Sequence, residues 1–428
     1  MTPAEPDQPT DDTGDLRPAA QPEPATQPET AGDAVRPDVR SVPLHTFLGY
    51  FLGLGTWGFG GPIATVGYMQ RDLVERRAWL TRQDFLDGVA LGQTMPGPLA
   101  AQVVMWLGYL RAGTLGALVT AAAFIAPSFL LVLAVAIAYA HYQGLPVVQA
   151  LFHGIAPAVM AIIAVAAYKL ARLTNRRDLR LWIISAILAV VTAATGAEIA
   201  LLFIAAGLLM IALDAPPRWL RRPTTPAAVI ALPHLGRLAG KGLAGKALAA
   251  GVGGGTLLAL GWFFLKAGAF IFGSGLAIVP FLREGAVHQH YWLTDGQFLD
   301  AVAMGLITPG PVVITATFIG YLAAGWQGAL VATVAIFTPI FLGVVLPGRW
   351  FIRHRDNRQI QAFVKGATAA AAGAIAGAVV VLSRQTITDW PAAAIAVVSL
   401  GLLLRWKVKE PILVGLGAAA GIALHWPW

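Results

Sequence analysis

The sequence predicts an all-α polytopic membrane protein made of two tandem homologous repeats that are inverted relative to each other. Composition is the first reason. Of 428 residues, 57% are hydrophobic and only 12% are charged, which excludes an ordinary water-soluble domain. The second reason is a succession of long apolar stretches, and the third is an internal similarity between the two halves of the chain.

Residues 1–43 are predicted to form a disordered tail. They contain nine acidic and three basic side chains together with nine prolines, and they show no apolar periodicity. They also lack the basic start and apolar stretch of a signal peptide. Because the whole chain has a net charge of +8 and the tail one of −6, the rest carries +14. Such a basic excess is typical of loops that face anionic lipid, so the expected partner is the lipid bilayer and not nucleic acid.

Apolar stretches suited to crossing a bilayer follow the tail, since a spanning helix needs roughly 20 apolar residues. They run over 45–69, 115–140, 146–168, 183–213, 248–265, 328–346, 366–382, 391–404 and 412–426. The fourth stretch is long enough for two helices with a turn at 195–198. A polar, basic segment, 214–247, is expected to link a first repeat, 44–213, to a second repeat, 248–428.

Two further apolar stretches, 85–109 and 298–321, are each interrupted by a Pro-Gly-Pro triplet. The interrupting residues are Pro96, Gly97 and Pro98 in the first stretch and Pro309, Gly310 and Pro311 in the second. Proline removes a backbone donor and blocks the preceding turn, so a continuous helix is not expected. Each stretch is predicted to form two half-helices in a re-entrant hairpin or a broken span, with Pro98 and Pro311 in the first turn of the second half-helix.

The internal repeat is visible when the chain is aligned with itself. At an offset of 213, nine of the fourteen residues in 85–98 are identical to those in 298–311. After a one-residue deletion the offset becomes 212, and it then pairs Pro127 with Pro339. The duplication therefore covers nearly all of the chain after the tail.

The distribution of Lys and Arg predicts that the repeats are inverted, because cytoplasmic loops collect basic residues. Residues 71–82 contain four basic side chains and the equivalent residues 284–295 contain none, whereas 138–148 contain none and their counterparts 350–360 contain three. Inversion requires an odd number of crossings per repeat, which five full spans plus one re-entrant hairpin provide. With five crossings per repeat, the charge rule for cytoplasmic loops places both chain ends outside the cell. Inverted repeats with broken helices are typical of secondary transporters.

A half-helix that begins within the membrane presents unpaired backbone N–H groups and the positive end of its dipole to the protein interior. An oxyanion suits this geometry, so two such N-termini are expected to hold a tetrahedral dianion. The alternative is that each triplet is only a kink that allows helices to pack. Glycine-rich stretches in the first helix of each repeat either line a substrate path or allow tight packing. Their residues are Gly60, Gly61, Pro62, Gly273, Ser274 and Gly275.

A few charged residues near the apolar stretches have a functional and a structural interpretation. Asp87 and Asp300 are equivalent and precede the triplets by about two and a half turns. They are candidates for proton coupling, or else carboxylates at the interfacial end of a half-helix. Arg71 and Arg82 either attract anions or only mark a cytoplasmic loop. Lys266 lies within an apolar helix, where it either serves the substrate or extends its ammonium to the interface.

The sequence predicts neither an enzyme nor a cofactor. It has no cysteine, which excludes disulfides, thiolate metal sites and a cysteine nucleophile. It also lacks a pattern for a metal cluster, a nucleotide-binding loop or an activated nucleophile, so no catalytic residue and no metal site are expected. A membrane enzyme or scaffold is the alternative from another functional class.

Several of these residues taken together resemble the two-domain chromate ion transporters. The resemblance extends from about residue 44 to the end and is carried by 59–62, Trp79, 85–98, 272–275, Pro280 and 308–321. It implies a multi-pass protein of the bacterial inner membrane that exports chromate by secondary active transport and confers resistance. It also implies that the glycine and proline motifs are needed for transport. Ser274 stands where the second repeat of this family usually has glycine, and the acidic tail has no counterpart there.

The substrate, the coupling and the assembly state are left open by these residues. Sulfate is a dianion of similar size, so a carrier of sulfate or another tetrahedral oxyanion is one alternative to a chromate exporter. A passive anion channel is another. Proton coupling and a homodimer are expectations that the sequence does not decide.

Overall fold

The computed structural model describes residues 38–58, 61–195, 200–216, 254–271, 275–348, 350, 357–406 and 408–425. These residues form helices and connecting turns without any strand among them, and they belong to a single compact unit. Most of the predicted tail, 1–43, and most of the predicted linker, 214–247, lie outside the described residues.

The α-helices of the described residues are numbered in chain order. They are α1 (Leu44–Trp57), α2 (Gly61–Met69), α3 (Arg82–Thr94), α4 (Leu99–Tyr142), α5 (Pro146–Asn175), α6 (Leu179–Thr195), α7 (Ala200–Asp214), α8 (Gly254–Ala269), α9 (Val279–Arg283), α10 (Asp295–Ile307), α11 (Thr315–Val345), α12 (Arg358–Thr386), α13 (Trp390–Gly401) and α14 (Glu410–His425). Turns of 3-10 helix precede α9 and α11, at Gly275–Ile278 and Val312–Ile314. Turns of π-helix follow α2, α9 and α13, at Gln70–Arg76, Glu284–Gln289 and Leu402–Trp406.

Among the described residues, four helices are long and apolar enough to cross a membrane. They are α4, α5, α11 together with its preceding turn, and α12. Shorter apolar helices accompany them, namely α6, α7, α8, α13 and α14. This all-helical, apolar architecture agrees with the predicted class of membrane protein. The predicted turn near 195–198 also agrees, because α6 ends at Thr195 and α7 begins at Ala200.

The predicted first span, 45–69, is wrong as a single helix. Helix α1 ends at Trp57, where the Gly58 N–H donates to the Leu54 carbonyl oxygen at 2.7 Å, and α2 begins only at Gly61. The second half is broken in the same way between α8 and the turn at Gly275. Consecutive glycines have low helix propensity, and Pro62 cannot continue a preceding helix, so the glycine-rich stretch interrupts the helix that it was expected to occupy.

Helix α2 returns toward the start of α1 instead of continuing away from it. The Tyr50 hydroxyl of α1 donates to Asp72, which follows α2, at 3.5 Å. The Trp79 ring packs against the rings of Phe47 and Tyr50, with 6.2 Å between centroids in each case. The first two helices therefore form a hairpin with both outer ends on one side.

Both predicted Pro-Gly-Pro breaks are present. Helix α3 ends at Thr94 and α4 begins at Leu99, while α10 ends at Ile307 and helical structure resumes at Val312. Each second helix begins one position later than predicted. Pro98 and Pro311 are N-cap residues with extended backbone rather than members of the first turn.

Helix α4 is bent sharply after its first three turns. Ala112 and Gly113 leave the helical conformation, which divides α4 into a short arm, 99–111, and a long arm, 114–142. The arms fold onto each other so closely that a methyl group added at Gly108 would lie 2.5 Å from the Gly116 carbonyl oxygen. Helix α11 repeats this bend at Ala324 and Gly325. The predicted broken stretch 85–109 is a hairpin of α3 and the short arm of α4, because the Trp106 indole N–H donates to the Asp84 carbonyl oxygen at 3.0 Å.

The two halves of the chain interdigitate. Helix α12 of the second half packs against α5, α6 and α7 of the first half. Its buried side is almost entirely alanine and glycine, and Gly366 and Gly373 lie against the backbone of Ala206 and Ser185. Small residues let helix backbones approach closely, which is how helices pack when lipid surrounds them.

We expect Gly108→Val to destabilise the protein by about 1–3 kcal/mol, because the added side chain would be forced against the Gly116 carbonyl and Thr120. The measurement is the thermal unfolding midpoint of the purified protein in detergent. Gly53→Val is the matched control, since no atom lies within 4 Å of the position that its Cβ would take. Equal midpoints for the two variants would contradict the tight fold of the arms.

Candidate functional site

The first Pro-Gly-Pro turn contacts the second half of the chain. The Gly97 N–H donates to the Ile271 carbonyl oxygen at 2.6 Å. A methyl group added at Gly97 would lie 2.9 Å from Ile340 Cγ2 on α11. Gly97 also has φ +143°, a conformation that L side chains rarely adopt. This position therefore admits only glycine for two independent reasons.

The second Pro-Gly-Pro turn contacts the first half in the equivalent manner. The Ser128 hydroxyl, on the long arm of α4, donates to the Pro309 carbonyl oxygen at 2.6 Å. A methyl group added at Gly310 would overlap with Ser128 Oγ. Ser128 and Ile340 are equivalent at the offset of 212. Each turn thus meets the long arm of the other half at the same place.

The helix starts that follow the two turns differ in their hydrogen bonding. In the first half, Pro98 provides no side-chain cap, and the first intrahelical bond runs from the Gln102 N–H to the Pro98 carbonyl at 3.1 Å. In the second half, a 3-10 turn brings the Ile314 N–H to the Pro311 carbonyl at 2.9 Å. Neither start has a side-chain cap, but the 3-10 turn makes its first intrahelical bond one residue earlier, so the start of α4 leaves more amides available to an anion.

Gln102 supports the first turn and was missed by the sequence reasoning. Its buried amide nitrogen donates to the carbonyls of Met95 and Pro96, at 3.2 Å and 3.0 Å. These carbonyls belong to the broken segment, where regular helical partners are absent. The signal that the sequence offered was a single uncharged polar residue within an otherwise apolar half-helix.

The second glycine-rich break lies next to both turns, since Ile271 bonds to Gly97 and Gly275 contacts Val312. Gly275 packs against the start of the 3-10 turn after Pro311, since a methyl group added there would lie 3.4 Å from Val312 Cβ. Gly61 and Pro62 are the first residues of α2. The other predicted residues of these stretches, Gly60, Gly273 and Ser274, lie outside the described residues.

The two equivalent carboxylates occupy different environments. Asp87 on α3 is partly exposed and accepts from the Gln83 amide at 2.8 Å. Asp300 on α10 is only 8% exposed, and it accepts from the Tyr139 hydroxyl, on the long arm of α4, at 2.7 Å. Tyr139, like Gln102 and Ser128, was not among the predicted site residues.

Among the described contacts, none joins Arg71, Arg82 or Lys266 to a Pro-Gly-Pro triplet. The Arg71 side chain lies 3.3 Å from Asp72 and over the Tyr68 ring, and Arg82 is exposed at the start of α3. The Lys266 ammonium lies 5.9 Å from the centre of the Trp262 ring. Trp262 is 60% exposed, so this contact favours the interpretation in which Lys266 extends toward the outer surface of α8.

The described residues contain no cluster of three or more His, Cys, Asp or Glu side chains that could hold a metal ion. The polar atoms at the two turns are backbone amides, backbone carbonyls, the hydroxyls of Ser128, Thr94 and Thr308, and the Gln102 carboxamide. Such a set binds ions through fixed dipoles, without a titratable ligand at the turns themselves.

Comparisons with known proteins agree over most of the chain. The family model described as Chromate transporter matches residues 45–211 and 258–422. The chain is 47% identical over 392 residues to the Chromate transport protein of Cupriavidus metallidurans, covering 90% of this chain and 95% of that protein. It is 46% identical over 377 residues to a Probable chromate transport protein of Synechococcus elongatus, with coverage of 87% and 93%. No solved structure matches the chain at a significant level.

A more distant relative is similar over the same length. The Chromate transport protein of Pseudomonas aeruginosa is 31% identical over 378 residues, covering 87% of this chain and 90% of that protein.

We expect Ser128→Ala to cost about 1–3 kcal/mol, because it leaves the buried Pro309 carbonyl without its donor. The thermal midpoint in detergent reports this loss. Thr338→Ala is the control, since the Thr338 hydroxyl bonds only within its own helix, to the Val334 carbonyl at 2.7 Å in an exposed position. If Ser128→Ala were no more costly than Thr338→Ala, the hydroxyl would not be holding the second turn.

Proposed function

Since this chain belongs to the chromate transporter family, we propose that it exports chromate across the bacterial inner membrane and thereby gives resistance to chromate. The family is one of transporters and not of enzymes. Two relatives that match almost over their whole length, at 47% and 46% identity, are named Chromate transport protein and Probable chromate transport protein. The transport is proposed to be secondary active, driven by an ion gradient.

The observation that carries this proposal is the meeting of each Pro-Gly-Pro turn with the opposite half. Gly97 bonds to Ile271 and lies against Ile340, while Pro309 bonds to Ser128. A site assembled from both halves changes when one half moves against the other. Alternating exposure of a substrate requires such a site.

Chromate is proposed to bind at the start of α4, against the first backbone amides after Pro98. A tetrahedral dianion matches the partial positive charge at a helix start. Glycine at position 97 lets the turn pack against Gln102 and Ile340, and Gln102 holds the neighbouring carbonyls away from the anion by bonding to them. The turn at 309–311 and the glycine-rich breaks are proposed to complete the site.

The two halves are proposed to be inverted, and helix directions support this. Helices α5 and α12 are equivalent at the offset of 212. Helix α12 runs parallel to α6, because Gly373 lies beside Ser185 and Gly377 beside Ala189. Helix α6 follows α5 after three residues and folds back on it, with Asn175 bonded to Ser185 at 2.9 Å. Helices α5 and α12 therefore run in opposite directions.

We place the basic turns between α2 and α3 and between α5 and α6 in the cytoplasm, following the charge rule. The N-terminal end of α1 lies near the bend of α4, since Arg40 donates to the Leu110 carbonyl at 3.4 Å and Arg111 donates to the Val42 carbonyl. Because α1 and α2 form a hairpin, Leu44 belongs on the same side as Arg71. The expectation that both chain ends are outside depended on an unbroken first span, and we replace it with a cytoplasmic start. The α1–α2 hairpin also leaves four crossings in the first repeat instead of the five predicted, so the proposed inversion rests on the helix directions and not on an odd number of crossings; the connection between α7 and α8 lies largely outside the described residues.

Asp87 and Asp300 are the candidates for coupling transport to protons. Both lie in helices that lead into a Pro-Gly-Pro turn, so a change in their charge acts on the element that holds the substrate. A carboxylate at membrane depth is costly unless it is paired or functional. Arg71 and Arg82 are proposed to attract the anion to the cytoplasmic face.

The test is uptake of radiolabelled chromate into everted membrane vesicles, whose interior corresponds to the outside of the cell. We expect uptake to rise when the vesicle interior is acidified, and unlabelled sulfate to compete weakly. Equal uptake of labelled sulfate would indicate a general oxyanion carrier. Chromate flux that is insensitive to every imposed ion gradient would indicate a passive channel instead.

We expect Gly97→Ala to abolish chromate uptake in these vesicles. The substitution imposes backbone strain of about 1–3 kcal/mol and fills the space between Gln102 and Ile340. Gly49→Ala is the control, since its Cβ would meet open space. Membrane-inserted protein, quantified by immunoblot, should be similar for both variants. Near-normal uptake by Gly97→Ala would exclude the first turn from the substrate site.

A further inference from the structure

A cavity of about 270 Å³ opens between α5, α10 and the turn that follows α12. None of the triplet residues lines it, so it is distinct from the candidate substrate site. Its polar lining consists of Gln149, His153, Asp300, Gln385, Thr386 and Thr388. A space of this size with several polar partners holds water.

Asp300 forms the innermost acidic group of the cavity. It is 8% exposed and accepts a hydrogen bond from the Tyr139 hydroxyl at 2.7 Å. Tyr139 lies on the long arm of α4, eleven residues after Ser128, and Ser128 holds the Pro309 carbonyl. Asp300 itself lies two turns before the end of α10, which leads directly into that same turn. The Asp300 carboxylate is therefore linked to the second triplet in two ways, through α10 itself and through Tyr139 and Ser128 on the long arm of α4.

His153 lines the same cavity as Asp300 and reaches the surface of the protein. It is half exposed, and its Nε2 lies 3.3 Å from Asp389 Oδ2 at the start of α13. Histidine changes its charge between about pH 5 and 8, which makes it suited to passing protons from water. Thr386, also in the cavity wall, has a buried hydroxyl with no hydrogen-bond partner among the described residues. A water molecule in the cavity would satisfy that hydroxyl.

The buried cation next to the cavity wall has partners other than Asp300. Arg283 on α9 is buried, donates to Asp295 at 2.8–2.9 Å and donates to the Gln385 side-chain oxygen at 2.8 Å. The titratable and charged groups on the elements around Asp300 include Tyr139 on α4, His153 on α5, Arg283 on α9, Glu284 and His288 in the π-helical turn after α9, Asp295 on α10, the exposed Arg384 on α12 and Asp389 at the start of α13. Asp300 is thus bonded to a neutral phenol and not paired with a base.

The first half lacks this arrangement. The equivalents of Asp300, His153 and Thr388 are Asp87, Lys365 and Arg176. Asp87 is partly exposed and bonded to Gln83, and its aligned neighbours carry permanent positive charge instead of an imidazole and a hydroxyl. The surroundings of Asp87, on the side proposed to be cytoplasmic, are suited to anions, whereas the cavity beside Asp300 is suited to a proton.

The cavity faces the side proposed to be external. The turns around it, 143–145, 290–294 and 387–389, contain no Lys or Arg. Gln297 at the start of α10 bonds to Gln143 at the end of α4 at 3.1 Å, which places these turns together. Protons that move down the gradient of a respiring bacterium arrive from this side.

We propose that this cavity admits protons from the outer face, that His153 passes them inward, and that Asp300 alone takes up the coupling proton. The inference rests on the proposed proton-driven export and assigns its coupling site. Protonation removes the charge of Asp300 and so weakens the charge-assisted hydrogen bond from Tyr139. The contact between α10 and the long arm of α4 then loosens next to the turn that Ser128 holds.

Two assays on everted vesicles test this inference. The first measures chromate uptake driven by acidifying the vesicle interior over pH 5 to 8. The second measures counterflow, the exchange of labelled for unlabelled chromate at equal pH, which needs the substrate site but no net proton movement. We expect Asp300→Asn to lose gradient-driven uptake and to keep counterflow. We expect His153→Gln to slow gradient-driven uptake severalfold and flatten its dependence on interior pH, with counterflow unchanged.

His141→Gln is the matched control, because His141 is exposed at the end of α4, and it should keep the pH profile of the unaltered protein. Asp87→Asn is run in the same two assays to compare the other coupling candidate with Asp300. The inference is overturned if His153→Gln keeps the pH profile of the unaltered protein, or if Asp87→Asn loses gradient-driven uptake while Asp300→Asn keeps it. It is equally overturned if a sodium gradient drives chromate uptake in place of the proton gradient. It is also overturned if Asp300→Asn loses counterflow at normal thermal stability. Absence of counterflow in the unaltered protein would instead reject the proposed chromate transport itself.

Discussion

Backbone polar groups inside a membrane have no water to bond, and this constraint determines how the interrupted helices are held. Each group exposed by a Pro-Gly-Pro turn needs a partner from the protein. The Gly97 N–H uses the Ile271 carbonyl, the Pro309 carbonyl uses the Ser128 hydroxyl, and Gln102 serves the carbonyls before the first turn. Two of these three partners come from the opposite half, so neither turn is complete without it.

The same interruptions require small residues around them. Gly97 and Gly310 lie where any side chain would meet the long arm of the other half. Elsewhere, the arms of α4 meet at Gly108 and Gly116, and α12 lies on its neighbours through alanine and glycine. Backbones that pack this closely have few intermediate positions, which favours rigid movements of one group of helices against another. Close packing and a mobile two-part site are therefore compatible in this fold.

The duplication provides two similar frameworks, and divergence has made them chemically unequal. Ser128 of the first half corresponds to Ile340 of the second, so one turn is held by a hydroxyl and the other by a methyl contact. Asp87 is partly exposed, whereas Asp300 is buried against Tyr139 beside a cavity. An exporter that binds an anion from one side and a proton from the other benefits from such inequality, because identical halves would offer the same site to both.

The membrane class and the two Pro-Gly-Pro breaks could be predicted from the sequence because hydropathy and proline act within a few residues of chain, and the family could be predicted from the resemblance of its glycine and proline motifs. The break of the first span at Gly58 could not be predicted in this way, because consecutive glycines also occur in unbroken helices that pack closely. The partners of the turns, Ser128 among them, and the unequal burial of Asp87 and Asp300 were decided only by the tertiary structure. Burial and hydrogen bonding depend on residues more than a hundred positions away, such as Tyr139 for Asp300, and no local pattern specifies which distant helix will lie alongside.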